Sequence, residues 1–267
     1  MMFLVIKKAI DEFAIILPKT PYDLAVAMCV RLNKLCDLHC NELIPKSISL
    51  GCATKVTAGE DLQKVIKEAE DKMYKHKLLV SRSIRNLIIT SLESSLHEKS
   101  IETVDHALRL VETTAKVGKK LGLLQNEMDD LNLLARLHDI GKITVDERIL
   151  TKPGKLTDQE RAEIRKHSEA GYRIAESSQI LSNIAEYILF HHERWDGGGY
   201  PRGLKGKRIP LLARILALAD AYDAMTNDRP YRKAMEKSAA MDELKKGSGK
   251  QFDPALVPLF ISVIENR

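Results

Sequence analysis

From about Leu79 onward strand patterns nearly vanish, and segment after segment repeats apolar residues at helical intervals. Helices whose apolar stripes also contain histidines leave few options for what fills the core. Around "LARLHDIGK", Leu131, Leu134, Ala135 and His138 stand at i, i+3, i+4 and i+7. That spacing sets a histidine on the buried face of an aliphatic helix, with Asp139 beside it. A lone buried histidine is ordinary, but an adjacent unpaired carboxylate would leave water at a cost of several kcal/mol. A shared cation removes the conflict.

The same pattern recurs. Asp220 and Asp223 interrupt the aliphatic helix "ILALADAYDAM", and "ETVDH" sets Glu102 and His106 one helical turn apart on one face. Each alone also fits a surface edge, a cap or an exposed pair. Together Glu102, His106, His138, Asp139, His167, His191, His192 and Asp220 take up five of the eight histidines. Mixed imidazole and carboxylate donors suit Fe, Mn or Zn rather than calcium, and eight groups exceed the needs of one structural zinc. Two or three divalent transition-metal ions are expected.

Two loops punctuate the helices, "TKPGKLT" and "HHERWDGGGYP". Thr157 and Glu160 make a capping box that should start the helix carrying His167. His191 and His192 should end the helix "NIAEYILF". Gly197, Gly198 and Gly199 should supply backbone angles closed to other residues, while Tyr200 and Pro201 stiffen the loop or form a docking face. Earlier in the chain, "FLVI" and "FAIILP" predict a hairpin and "ISLGCA" a third strand. Helices are expected over "PYDLAVAMCVRLNKLCDL", "EDLQKVIKEAEDKMYKHKLL" and, as a connector, residues 80–99. The fold expected is mainly α, a helical bundle preceded by a small α/β segment, divided at 1–79, 80–99 and 100–267.

Bulk properties narrow the partners. Net charge is +5, from 42 basic and 37 acidic residues without a long single-sign block, which gives no support for DNA binding and suits a small anionic substrate. No run approaches the roughly 18 apolar residues of a membrane span, and "MMFLVIKK" is too short for a signal peptide, so a cytoplasmic location is expected. Cys29, Cys36, Cys40 and Cys52 read as reduced cysteines packed in a core. The Cys36, His39, Cys40 spacing matches no zinc pattern.

"HDIGK", "KPGKLT", "HHERWDGGGYP", "RPYR" and "QFDP", in this order from about Ser100 to Asn266, resemble the HD-GYP family of cyclic di-GMP phosphodiesterases, a branch of the HD metal-dependent phosphohydrolases. The resemblance implies an HD-type helical bundle with His106, His138, Asp139, His167, His191, His192 and Asp220 as metal ligands. Asp139 would bridge two ions, and Glu102 matches an acidic position of members with a third. It further implies that Lys142 contacts the scissile phosphate, that Arg229 and Arg232 face the substrate phosphates, and that Asp223 orients Lys142 or the attacking water. Iron or manganese is the implied metal. Metal coordination lowers the pKa of water from about 16 to about 7, on the order of 12 kcal/mol toward forming the nucleophile. The implied activity is hydrolysis of cyclic di-GMP, ending at pGpG or at GMP. The rivals are an HD hydrolase of another cyclic dinucleotide or nucleotide, and a non-catalytic module that senses cyclic di-GMP or docks on a GGDEF protein.

"AIDEFAIILP", "SISLGCA" and "AEDKMYKHK" resemble the second half of a GGDEF diguanylate cyclase domain. Ala9 and Ile10 replace its two glycines, although Asp11 and Glu12 remain. The half carrying the first strand, metal aspartate and nucleotide pocket is not in this sequence, so cyclase activity is not expected. A partial sheet leaves an exposed edge and an uncovered apolar face. Pairing with another copy, as a homodimer through residues 1–99, or partial disorder is the expected consequence, and a GGDEF-domain protein is a further expected partner.

Overall fold

The computed structural model describes residues 4–7, 11–38, 48–99, 104–228 and 233–265. It comprises two compact units, Met1–Ile88 and Ile89–Arg267.

In the first unit, β1 (Leu4–Lys7) and β2 (Phe13–Ile16) form the expected antiparallel hairpin, with Leu4 opposite Ile16 and Lys7 opposite Phe13. Val5, Ile6, Phe13, Ile15 and Ile16 are all exposed, so the hairpin has no apolar cover. Ala9 and Ile10 lie outside the described residues. Helix α1 (Tyr22–Leu38) starts directly after Pro21, a residue suited to a first turn. The third strand does not form: residues 48–53 have no regular structure. The reason is close packing. A Cβ on Gly51 would lie 2.1 Å from the Ala69 carbonyl oxygen and 2.3 Å from Met73 N, so this segment is pressed against a helix backbone instead of pairing with a strand. Cys29, Cys36 and Cys52 are reduced but only half-buried, less enclosed than expected, and Cys40 lies outside the described residues.

The two helices expected over residues 60–99 are one, α2 (Leu62–Lys99), 38 residues without a glycine or proline to break it. The division between the units falls within it.

The second unit is helical throughout its described residues: α3 (Val104–Leu121), α4 (Gln125–Leu137), α5 (Glu147–Leu150), α6 (Asp158–Arg165), α7 (His167–Glu176), α8 (Ala185–Phe190), α9 (Leu211–Thr226), α10 (Lys237–Gly247) and α11 (Leu256–Glu265), with short 3-10 turns between some of them. Helix α9 is apolar on nearly every side and is therefore central. Helix α3 packs on α4 and α9, while α7 packs on α8 and on the 3-10 turn Ile140–Thr144. The last turns of α2 join this unit through Glu93, which pairs with Arg136 at 2.5 and 2.7 Å.

The capping box forms as read. Glu160 N donates to Thr157 Oγ1 at 3.2 Å, and Thr157 N donates to Glu160 Oε2 at 2.7 Å. Its helix does not carry His167, however. The chain tightens at Lys166, whose N–H donates to Glu163 O, and His167 opens the next helix. Among the described residues no helix is long and apolar enough to cross a membrane.

Candidate metal centre

The apolar stripe of α4 is buried as its spacing requires, and it delivers His138 and Asp139 at 3% and 4% exposure into the core. His106 comes from the first turn of α3, His167 from the start of α7, His191 and His192 from the end of α8, and Asp220 from α9. Glu102, Arg229 and Arg232 lie outside the described residues.

One close approach brings these elements together. A Cβ on Gly141 would lie 1.8 Å from the His167 carbonyl oxygen and 2.6 Å from Gly171 N. The "HDIGK" turn and α7 thus touch backbone to backbone, which no other residue at 141 allows.

The hydrogen bonds assign the imidazole tautomers. His167 Nδ1 lies 2.6 Å from Ile164 O, His191 Nδ1 2.6 Å from Ile188 O, and His106 Nδ1 2.7 Å from Asp223 Oδ2. These oxygens only accept, so each Nδ1 donates and each ring turns its Nε2 inward. Burial, then neighbouring His192, pushes the His191 pKa well below its usual value. Burial followed by His167 pushes His192 down to about 3. Both rings are therefore neutral near pH 7 and can accept a cation without first losing a proton.

The inward atoms form two groups. Ligand atoms of Asp139, His167, His191 and His192 lie within 4.8 Å of one another, and so do those of His106, His138 and Asp220. Asp139 faces both, with Oδ1 3.1 Å from His167 Nε2 and Oδ2 3.1 Å from His138 Nε2. His167 Nε2 and His191 Nε2 approach to 3.3 Å. Asp139 Oδ1 is buried with no donor in hydrogen-bonding geometry. Imidazole nitrogens and carboxylate oxygens gathered this closely in the core fit divalent cations. Burial opposes ionisation of Asp139, but the Lys142 ammonium at 2.8 Å and His138 outweigh it and hold the carboxyl well below the usual range.

Asp223 has a different place from the one expected. It engages His106, Arg109 and Asn227, whereas Lys142 is held by Asp139. Arg109 escaped the sequence reading, although it stands three residues after His106 on the same helix face. Glu193 was also missed: it is buried and accepts from Arg202 N at 2.7 Å and Leu204 N at 3.0 Å, closing the glycine loop on itself.

The three glycines in that loop have three different reasons. Gly197 has φ of +86°, Gly199 has no room because a Cβ would lie 2.4 Å from Arg194 N, and Gly198 shows neither constraint so sharply. Only one of the three therefore serves the backbone-angle role expected of all. Tyr200 turns inward, stacking on His192 with centroids 4.8 Å apart, and the Arg165 guanidinium lies 5.1 Å from its ring centroid. Burial raises the Tyr200 hydroxyl pKa and keeps its proton on. The "QFDP" turn anchors the loop from outside: Trp195 N donates to Gln251 O, and buried Asp253 pairs with Arg214.

A helical bundle that turns imidazoles and carboxylates into its own core has groups that could hold metal ions. The chain belongs to the HD domain family, which matches residues 83–256, and the diguanylate cyclase GGDEF domain matches residues 4–81. A cyclic di-GMP phosphodiesterase of Thermotoga maritima is 40% identical over 167 residues, 62% of this chain and 45% of that protein. A 3'3'-cGAMP-specific phosphodiesterase 2 of Vibrio cholerae is 35% identical over 176 residues, 65% of this chain and 34% of that protein. The chain thus spans less than half the length of these relatives. In fold it is similar to a solved cyclic GMP-AMP specific phosphodiesterase of V. cholerae, with a TM-score of 0.52 and 23% identity over 67% of this chain and 48% of that one.

Proposed function

We propose that this chain is a metal-dependent phosphodiesterase that hydrolyses cyclic di-GMP, stopping at pGpG or going on to GMP. The observation that carries the reading is the two-sided carboxylate of Asp139, one oxygen turned to each group of imidazoles. His106, His138, Asp139, His167, His191, His192 and Asp220 would hold two ions, with Glu102 assigned to a third, and Fe or Mn suits the donor set. Such cations supply what side chains lack, a water made acidic near neutral pH and positive charge to offset the phosphodiester.

The chain's own residues do the rest. Lys142 offers a charge-assisted hydrogen bond to a phosphoryl oxygen beside Asp139, and Arg229 and Arg232 are assigned to the flanking phosphates. Tyr200 walls the site and presents a protonated hydroxyl. The test is anaerobic incubation of Fe(II)- or Mn(II)-loaded protein with cyclic di-GMP, with products separated and metal counted on the same sample. Product from protein carrying two or three metals is expected. Full metal loading with no product overturns the reading. Similarity to the cGAMP-specific relative favours a second cyclic dinucleotide as the alternative substrate, and a parallel incubation with 3'3'-cGAMP decides between them.

Self-association is assigned to residues 1–99, supported by the exposed hairpin side chains. Phe13→Asp is expected to convert a dimer to a monomer in sedimentation of the full chain. A dimer unchanged by this substitution moves the interface elsewhere, and a GGDEF-domain protein becomes the alternative occupant of these strands.

A further inference from the structure

The ring nitrogens that point away from the centre differ between the two ligand groups. Where Asp139, His167, His191 and His192 meet, the Nδ1 atoms of His167 and His191 donate to main-chain carbonyls. In the other group, His106 donates to a carboxylate, Asp223, while His138 Nδ1 faces the Ala135 carbonyl at 3.3 Å. Asp223 is itself gripped from two further sides. Arg109 holds it with a two-pronged contact, Nε to Oδ1 at 2.5 Å and Nη2 to Oδ2 at 2.9 Å. The Asn227 side-chain amide donates to Oδ1 at 2.9 Å and to the Asp223 carbonyl oxygen at 3.0 Å. Asp223 is buried, and Arg109 reaches it from a side chain 36% exposed.

A guanidinium fork fixes the plane of a carboxylate, not merely its charge. A carboxylate so fixed offers His106 a single direction for its Nδ1–H, which sets the direction of Nε2 on the far side of the ring. Carboxylate partners of this kind also make an imidazole a stronger donor, and their loss lowers metal affinity by about 10–100-fold. Among the described residues, no comparable charged support lies behind His167 or His191.

We propose that Arg109 is a positioning residue which, through Asp223, controls occupancy of the His106, His138 and Asp220 site and leaves the Asp139, His167, His191 and His192 site unaffected. The two sites are thus unequal, and Arg109 sets the difference. This rests on the metal-centre reading and is independent of which substrate is cleaved.

The test uses metal-free full-length protein titrated anaerobically with Mn(II), with free Mn(II) followed by electron paramagnetic resonance and no substrate present. Wild type is expected to bind at least two equivalents. In Arg109→Met, one class of equivalents should weaken by about 10–100-fold while the other keeps its affinity. Arg109→Lys restores charge without the fork and should fall between, and Asp223→Asn should weaken the same class at least as far as Arg109→Met. Circular dichroism checks that each variant is folded, and Arg109→Lys carries the comparison if Arg109→Met is not. Equal weakening of both classes, or no weakening in a folded variant, overturns the proposal. Wild-type protein that binds no Mn(II) overturns the metal centre itself, whereas binding without phosphodiesterase activity touches only the substrate reading.

Discussion

The two roles proposed for Lys142 separate on mutation. Its ammonium lies 2.8 Å from Asp139 Oδ2 in a side chain only 15% exposed, so it helps keep the carboxylate ionised while pointing positive charge into the site. If phosphate stabilisation is its main role, Lys142→Met should keep its cations and lose about 10²–10³-fold in kcat. Metal counting beside single-turnover kinetics checks this, and loss of the cations would reassign Lys142 to holding Asp139. Asp139→Ala should instead empty both sites and abolish turnover, because each of its oxygens faces a different group. His138 and Asp139 were legible in the sequence because they sit on a stripe whose burial is local arithmetic. The role of Asp223 was not, because its partners His106 and Arg109 lie 117 and 114 residues away.

Helices and turns fail in more graded ways. Gly141→Ala forces a methyl into the His167 carbonyl, so the "HDIGK" turn and α7 must part. Overpacking of this kind destabilises by about 1–3 kcal/mol or more. The expected result is a lower denaturant midpoint together with lower metal content. Thr157→Ala removes a cap on α6 instead, which should cost about 1 kcal/mol and leave metal content unchanged. The same denaturation and metal assays separate the two, and a metal loss in Thr157→Ala would show that the cap also serves the site. Capping boxes and amphipathic spacing made most helices visible beforehand. The failed third strand and the break before His167 were not visible, since Gly51 is answered by Ala69 and Met73, and the Lys166 turn by what His167 must reach.

Cation binding should be felt by the folded chain as a whole, because the ligands come from α3, α4, α7, α8 and α9 and exist as a set only in the native state. Ligand at 100 times its Kd stabilises by about 2.7 kcal/mol. Chelation should therefore lower the melting temperature, and Mn(II) or Fe(II) should restore it in parallel with activity. An unchanged melting curve would mean that no cation binds the folded chain in preference to the unfolded one. Helical content, the hairpin and the burial of His138 and Asp139 follow from spacing and residue type, which are properties of neighbouring positions. The division into two ligand groups, the carboxylate behind one imidazole, the backbone contact at Gly141 and the inward stacking of Tyr200 on His192 do not. Those depend on distances between residues far apart in the chain, which packing sets and local periodicity leaves free.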